Sequence, residues 1–262
     1  MSHDISNVFI VGCPRSGTSA LSWSLAQHPR MWTSAESDFL LDLFGKGRLK
    51  EIYDHAYARP DQGWLKKNEV SYEEFCANMG RGVDELFRSR SHDLVWVDST
   101  PGYTLMADTL ALLLPRARFL HIVRDGRAVV NSMLNSGFAM KWATDLQVAA
   151  ETWVHYLNKG LEFEKTHPSI THRVMHDQLV SDPALTCAEI LDFLGLEHDS
   201  ACADYLSQKR INSSYDNTDG RDVRSVKDTA RLKDQPWKKW SRGQRRTFEQ
   251  VAGWANSELG YQ

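Results

Sequence analysis

The chain has 262 residues, 42% hydrophobic and 25% charged, enough for one sizeable core and without the charge bias of a disordered segment. Its formal charge of −3 argues against a general nucleic-acid or anionic-membrane binder, because either needs a net basic surface. Cys13, Cys76, Cys187 and Cys202 show neither CxxC nor zinc-type Cys/His spacing, so a reduced protein without bound metal is expected.

The segment before Val8 has no basic region, and the apolar run Val8 to Val11 is shorter than a signal-peptide core. No apolar stretch approaches the roughly 20 residues that cross a bilayer. A cytoplasmic protein with neither a membrane nor a nucleic-acid partner is the expectation. Val8-Phe9-Ile10-Val11, bounded by Gly12, reads as a buried strand of a parallel sheet. From Gly17 a helix is predicted, with Leu21 and Leu25 one turn apart, until Pro29 forces His28 out of helical geometry. Residues 40 to 92 are polar and aromatic, carry five glycines and show no convincing strand. They read as a helical insertion over the site.

Leu94 to Val97 and Phe119 to Val123 are two further candidate strands, and Val174 to His176 is a weaker one. Leu146, Ala149, Ala150, Trp153 and Leu157 share one helical face, with Gly160 as the expected stop. Another helix is predicted from Asp182 as N-cap and Pro183 as first residue to Gly195. The last helix puts Phe248, Val251, Ala252, Ala255 and Leu259 on one face before Gly260. This alternation predicts a single α/β domain over residues 1–262, a parallel sheet flanked by helices.

Two segments carry chemistry. The first, Gly12-Cys13-Pro14-Arg15-Ser16-Gly17-Thr18-Ser19, lies between a predicted strand and a predicted helix. Free backbone N–H groups at such a helix start, with the helix dipole behind them, make an anion site. A plain tight turn would leave Arg15 and the neighbouring hydroxyls unexplained. Thr18 stands where the nucleoside-triphosphatase loop G-x-x-x-x-G-K-[ST] has its lysine, and the cation is Arg15 instead. Leu94-Val95-Trp96-Val97-Asp98 resembles the magnesium-binding strand of those enzymes, so a kinase or triphosphatase is the alternative. A cysteine phosphatase is excluded, because position 19 is serine rather than arginine.

The second segment is His121 to Ser132. A strand ends at Arg124, a helix starts near Gly126, and Ser132 follows Arg124 by about two helical turns on roughly the same side. Guanidinium and hydroxyl together suit a phosphate monoester. A pairing of Arg124 with Asp125 would account for the arginine without a ligand.

Together the two segments resemble the sulfotransferases that use 3′-phosphoadenosine 5′-phosphosulfate (PAPS). Val97-Asp98-Ser99-Thr100-Pro101-Gly102-Tyr103, His176-Asp177-Gln178-Leu179-Val180, Phe193-Leu194-Gly195 and Leu259-Gly260-Tyr261 extend the likeness. The string Val123 to Ala128 looks most like the tyrosylprotein branch. The resemblance implies that Pro14, Arg15, Ser16, Gly17, Thr18 and Ser19 hold the 5′ end of the donor, and that Arg124 and Ser132 hold its 3′-phosphate. It also implies in-line sulfuryl transfer to an acceptor hydroxyl, with adenosine 3′,5′-bisphosphate (PAP) as product and no metal. Arg15 and Glu36 are then the catalytic candidates, Glu36 as general base because a glutamate after the first helix serves so in the tyrosylprotein and heparan enzymes. Asp98 is the rival base. Here Ser99 replaces a lysine and His176 a tyrosine that are common in the family. A non-catalytic PAP-binding protein is a further alternative.

From Arg221 to Arg246 ten Lys or Arg face three Asp. Residues 210 to 246 read either as a basic flap over the donor or as a solvated surface.

Overall fold

The computed structural model describes residues 5–59, 63–136, 143–210, 224–225 and 235–261. Strand β1 (Asn7–Val11) is buried along its whole length, as a central strand covered on both faces must be. Four other strands join it in parallel: β2 (Met31–Thr33), β3 (Val95–Asp98), β4 (Arg118–Val123) and β5 (Thr171–Met175). Their order is β2-β3-β1-β4-β5. Phe9 pairs with Asp98 on one side and with Phe119 on the other, and Val11 is opposite His121.

Alternate residues of β1 feed two cores. Phe9 and Val11 pack with Trp96, Phe119, Tyr103 and Leu110 on one face, while Val8 and Ile10 pack with Leu21, Leu25, Leu120 and Ile190 on the other. The second face is covered by α1 (Thr18–Leu25) and by α10 (Pro183–Leu194). Asp182 caps α10 through the Leu185 N–H, and Gly195 ends it at φ 66°, as its sequence predicts. A third core joins α7 (Gly126–Leu134), α8 (Leu146–Thr166) and α12 (Arg242–Phe248) around Trp153 and Phe248.

Residues 40 to 92 are helical where described: α2 (Phe39–Phe44), α3 (Arg48–Tyr57), α4 (Trp64–Lys67) and α5 (Tyr72–Arg90). Cys76, Val83 and Phe87 of α5 extend the Phe9 core, and Phe87 stacks on Trp96 at 4.5 Å. Helix α6 (Ala107–Leu113) lies beside α5. A 3₁₀ turn (Pro101–Met106) links β3 to α6, and α2 rests on it through Leu41 against Gly102. The remaining helices are α9 (His176–Ser181), α11 (Ser200–Gln208) and α13 (Trp254–Glu258), the last joined to α12 by a π turn over Glu249–Gly253. Lys209–Arg210 and Arg224–Ser225 form a two-residue antiparallel pair, β6 and β7. Most of the basic segment 210 to 246 lies outside the described residues.

Three local expectations are corrected. Helix α8 runs through Gly160 because that glycine is a contact point rather than a stop: a Cβ there would stand 2.2 Å from Nε2 of His121. His121 is buried and its Nδ1 meets Glu164 Oε1 at 2.5 Å, so α8 must lie close to β4. The weak strand begins earlier than its apolar residues and ends at Met175, where His176 starts α9. Strand β2 was not predicted. No helix among the described residues is long and apolar enough to cross a membrane.

Candidate active site

The connection after β1 leads to β2 on one edge of the sheet, and the connection after β4 leads to β5 on the other. Between the carboxyl ends of β1 and β4 the two connections diverge and leave a crevice, where open α/β sheets bind ligands. Both sequence motifs lie at these two strand ends.

The loop after β1 is closed by a turn in which Ser16 N–H donates to the Cys13 carbonyl at 3.1 Å. Gly12 has φ 151°, and a Cβ there would stand 2.5 Å from the Ile122 carbonyl of β4, so no side chain fits. The Thr104 hydroxyl accepts from Gly12 N–H at 2.8 Å and donates to the Pro101 carbonyl at 2.7 Å, tying the loop base to the 3₁₀ turn. Thr104 was not singled out from sequence, and its only signal is a hydroxyl shortly after Ser99-Thr100-Pro101. Helix α1 starts behind Gly17 with no side-chain cap, which leaves its first N–H groups without a side-chain acceptor at the carboxyl end of β1. Arg15 adopts φ 72°, a left-handed conformation unusual for a residue with a Cβ. Such strain clusters at functional sites.

Arg15 and Ser132, 117 positions apart, meet: Arg15 Nε donates to Ser132 Oγ at 3.2 Å. Arg124 Nη1 donates to the Arg15 carbonyl at 3.0 Å. Ser132 is thus linked to Arg15 directly, and Arg124 to the loop backbone. The carboxylate proposed to neutralise Arg124 is engaged elsewhere. Asp125 caps α7 by accepting from Arg127 N–H at 2.9 Å, and it holds the Arg127 guanidinium through Nε at 3.0 Å and Nη2 at 2.7 Å. Burial lowers the pKa of both Arg15 and Arg124, and each feels a carboxylate that works the other way, Glu36 for Arg15 and Asp177 first for Arg124. Two guanidinium groups sharing a partly buried crevice create an anion-binding field.

Glu36 follows β2, on the segment that crosses to α2. Ser37 anchors that segment to the turn after β3: its N–H donates to Thr100 Oγ1 at 3.0 Å, and its hydroxyl is 2.6 Å from the Tyr103 hydroxyl. Asp38 has φ 46°, and the Phe39 N–H donates back across it to the Ser37 carbonyl, a tight and strained turn. Glu36 itself is half-buried. Asp98 is 3% exposed, with Oδ1 accepting from Thr100 N–H at 2.8 Å and Oδ2 from Trp96 Nε1 at 3.4 Å. Burial raises its pKa. Its hydrogen bond to Thr100 supports the turn that positions Ser37.

His176 closes the back of the loop, its ring against Gly17. Burial, and then Arg124, push its pKa down to about 4, so it is neutral at pH 7. Cys13 is buried and its thiol is raised well above the ordinary range by desolvation, which fits a loop filler. At the edge of the site Arg127 lies over the Trp237 ring at 5.5 Å, and Trp240 Nε1 donates to Asn131 at 3.1 Å. These two tryptophans are all that the described part of the basic segment contributes here. Arg245 is turned to its own neighbours, donating to the Trp240 carbonyl at 3.2 Å.

A model of the sulfotransferase family matches residues 7–200. Protein-tyrosine sulfotransferase 2 of Gallus gallus is 25% identical over 202 residues, covering 72% of this chain and 51% of that protein. The chain therefore spans about half the length of this curated relative. Among solved structures, the sulfotransferase domain of the Synechococcus PCC 7002 olefin synthase superposes with TM-score 0.63 at 18% identity, covering 98% of this chain and 96% of that one. Mouse sulfotransferase SULT7A1, solved in complex with PAP, gives TM-score 0.51 at 13% identity, covering 94% and 82%. The structural likenesses establish a shared fold.

Proposed function

This chain belongs to the sulfotransferase family, and from that premise we propose that it transfers the sulfuryl group of PAPS to an acceptor hydroxyl. The observation that carries the proposal is the meeting of the two distant motifs, Arg15 with Ser132 and Arg124 with the Arg15 carbonyl, in one crevice with an uncapped helix start. An anion with two separated phosphate groups suits that arrangement. Gly12 and the uncapped α1 admit close backbone approach to one phosphate, and the Arg124–Ser132 side offers charge and a hydroxyl to another.

When bound, PAPS supplies an activated sulfuryl group whose loss leaves negative charge on the departing bisphosphate. Arg15 and the amides of Gly17, Thr18 and Ser19 are assigned to its 5′ end, with Pro14 and Ser16 shaping the turn. Arg124 and Ser132 are assigned to the 3′-phosphate. Arg15 carries a fixed positive charge where the charge develops, which stabilises the transition state more than the ground state. Glu36 is assigned as the base that takes the acceptor proton. Its half-buried position and its electrostatic link to Arg15 support this, as does the withdrawal of Asp98 into hydrogen bonds of its own. The segment 40–92, beginning with α2, is assigned to the acceptor side, and the basic segment after 210 to the donor side. The relative's name places a peptidyl tyrosine among the acceptors to test, beside sugars and small alcohols.

Titration calorimetry tests the donor assignment. PAP should bind far more tightly than AMP, because loss of one charge-assisted contact costs roughly 1.5–3 kcal/mol. Equal affinities would overturn it. Tighter binding of magnesium ATP would favour a kinase.

A further inference from the structure

Two polar atoms behind the Arg124 crevice are buried without an aligned hydrogen bond: Nδ1 of His176 and the hydroxyl of Tyr261. Buried polar atoms are seldom left so, and these two flank one carboxylate. His176 Nδ1 is 3.5 Å from Asp177 Oδ1. The Tyr261 phenol is held above its ordinary pKa range by burial and then by the charges of Asp177 and Asp125.

Tyr261 comes to this place because the C-terminal turn folds under the start of α7. Its N–H donates to the Asn256 carbonyl at 3.0 Å, and the Asn256 side chain accepts from Gly126 N–H at 2.8 Å. Asn256 is buried, so the tail is fixed two residues from Arg124. Arg124 makes no ion pair within 4 Å among the described residues, although Asp177 is the acid that acts on it most strongly. With Asp125 committed to Arg127, Asp177 is the acid left to compete for the Arg124 donors.

We infer that Tyr261 is a positioning residue for the donor site: its hydroxyl holds the Asp177 carboxylate back from Arg124, so that the guanidinium stays available to a 3′-phosphate. A phenol donating to Asp177 satisfies the buried hydroxyl and gives the carboxylate, 62% exposed, a fixed partner away from the arginine. The inference rests on the donor assignment above and adds to it a residue outside both nucleotide motifs.

The test is calorimetry of the full chain with PAP and AMP. Equal affinities in the parent protein would overturn the donor assignment, and this inference with it. If the parent discriminates, Tyr261→Phe should weaken PAP binding about tenfold and AMP binding by less than about twofold, equivalent to one hydrogen bond of about 1.4 kcal/mol acting on the 3′-phosphate alone. Adding Asp177→Asn should return PAP affinity to within about threefold of the parent, because the competing charge is gone. An unchanged PAP-to-AMP ratio in Tyr261→Phe overturns the inference. So does a loss shared equally by AMP, which would make the tyrosine purely structural, and so does a double variant no better than the single one.

Discussion

The two halves of the crevice, the one proposed for the donor and the one proposed for the acceptor, are built by different means. The donor half has a backbone frame, the Gly12–Gly17 loop, the uncapped start of α1 and the end of β4, carried on central strands buried on both faces, to which Arg15, Arg124 and Ser132 add their side chains. The acceptor half hangs from a three-residue edge strand and a short segment whose position is set by side chains, Ser37 against Thr100 and Tyr103, with a strained turn at Asp38. Backbone sites keep their geometry through most substitutions, whereas side-chain sites move when one contact is lost. Binding should therefore depend on the first half and chemistry on the second.

Glu36→Gln gives the largest expected separation. PAP affinity should stay within about twofold, while turnover falls by roughly 10²–10⁴, the usual contribution of a positioned base. A near-parent rate across pH 6 to 9 would remove Glu36 from the chemistry. Asp98→Asn, by contrast, should act on folding and positioning.

Arg15→Ala crosses the boundary between the halves, since the residue touches Ser132 on one side and feels Glu36 on the other. Turnover should drop roughly 10²–10³, more than donor affinity does. Normal turnover with weak binding would make the arginine an anchor only.

The smallest effect concerns stability and belongs to the donor half alone. His176 has a folded pKa of about 4, below its unfolded value near 6.5, so the unfolded chain takes up the proton first. Its contribution is intact above about pH 6.5 and is lost as pH falls toward 4, at up to about 1.4 kcal/mol per unit. Urea denaturation at stepped pH should show this slope, and His176→Gln should flatten it. An unchanged slope would mean that His176 is not the buried neutral group described.

Much of this was legible in the sequence because it is local. A strand such as Val8 to Val11, a loop with glycines at its bends, and a helix with Asp182 and Pro183 at one end and Gly195 at the other are specified by neighbouring residues. Length limits that kind of reading. Met31-Trp32-Thr33 is too short for any periodicity and is a strand because β3 offers it a partner, with Thr33 Oγ1 donating to the Val97 carbonyl at 2.7 Å. Gly160 looks like a helix end until His121 is known to occupy the space beside it.

Spacing along the chain was enough to read β1, β3, β4 and helices such as α1 and α10, though not β2, and to single out the loop after β1 and the residues Arg124 and Ser132 as candidates. Folding added that Ser132 meets Arg15, that Asp98 is buried with its oxygens hydrogen-bonded, and that the C-terminal turn is tied to the start of α7 through Asn256. The physical reason is the range of the interactions. Backbone propensity acts over a few residues, whereas the contacts of Arg15 with Ser132, of Arg124 with the Arg15 carbonyl and of Gly12 with Thr104 join groups 117, 109 and 92 positions apart that share no sequence pattern.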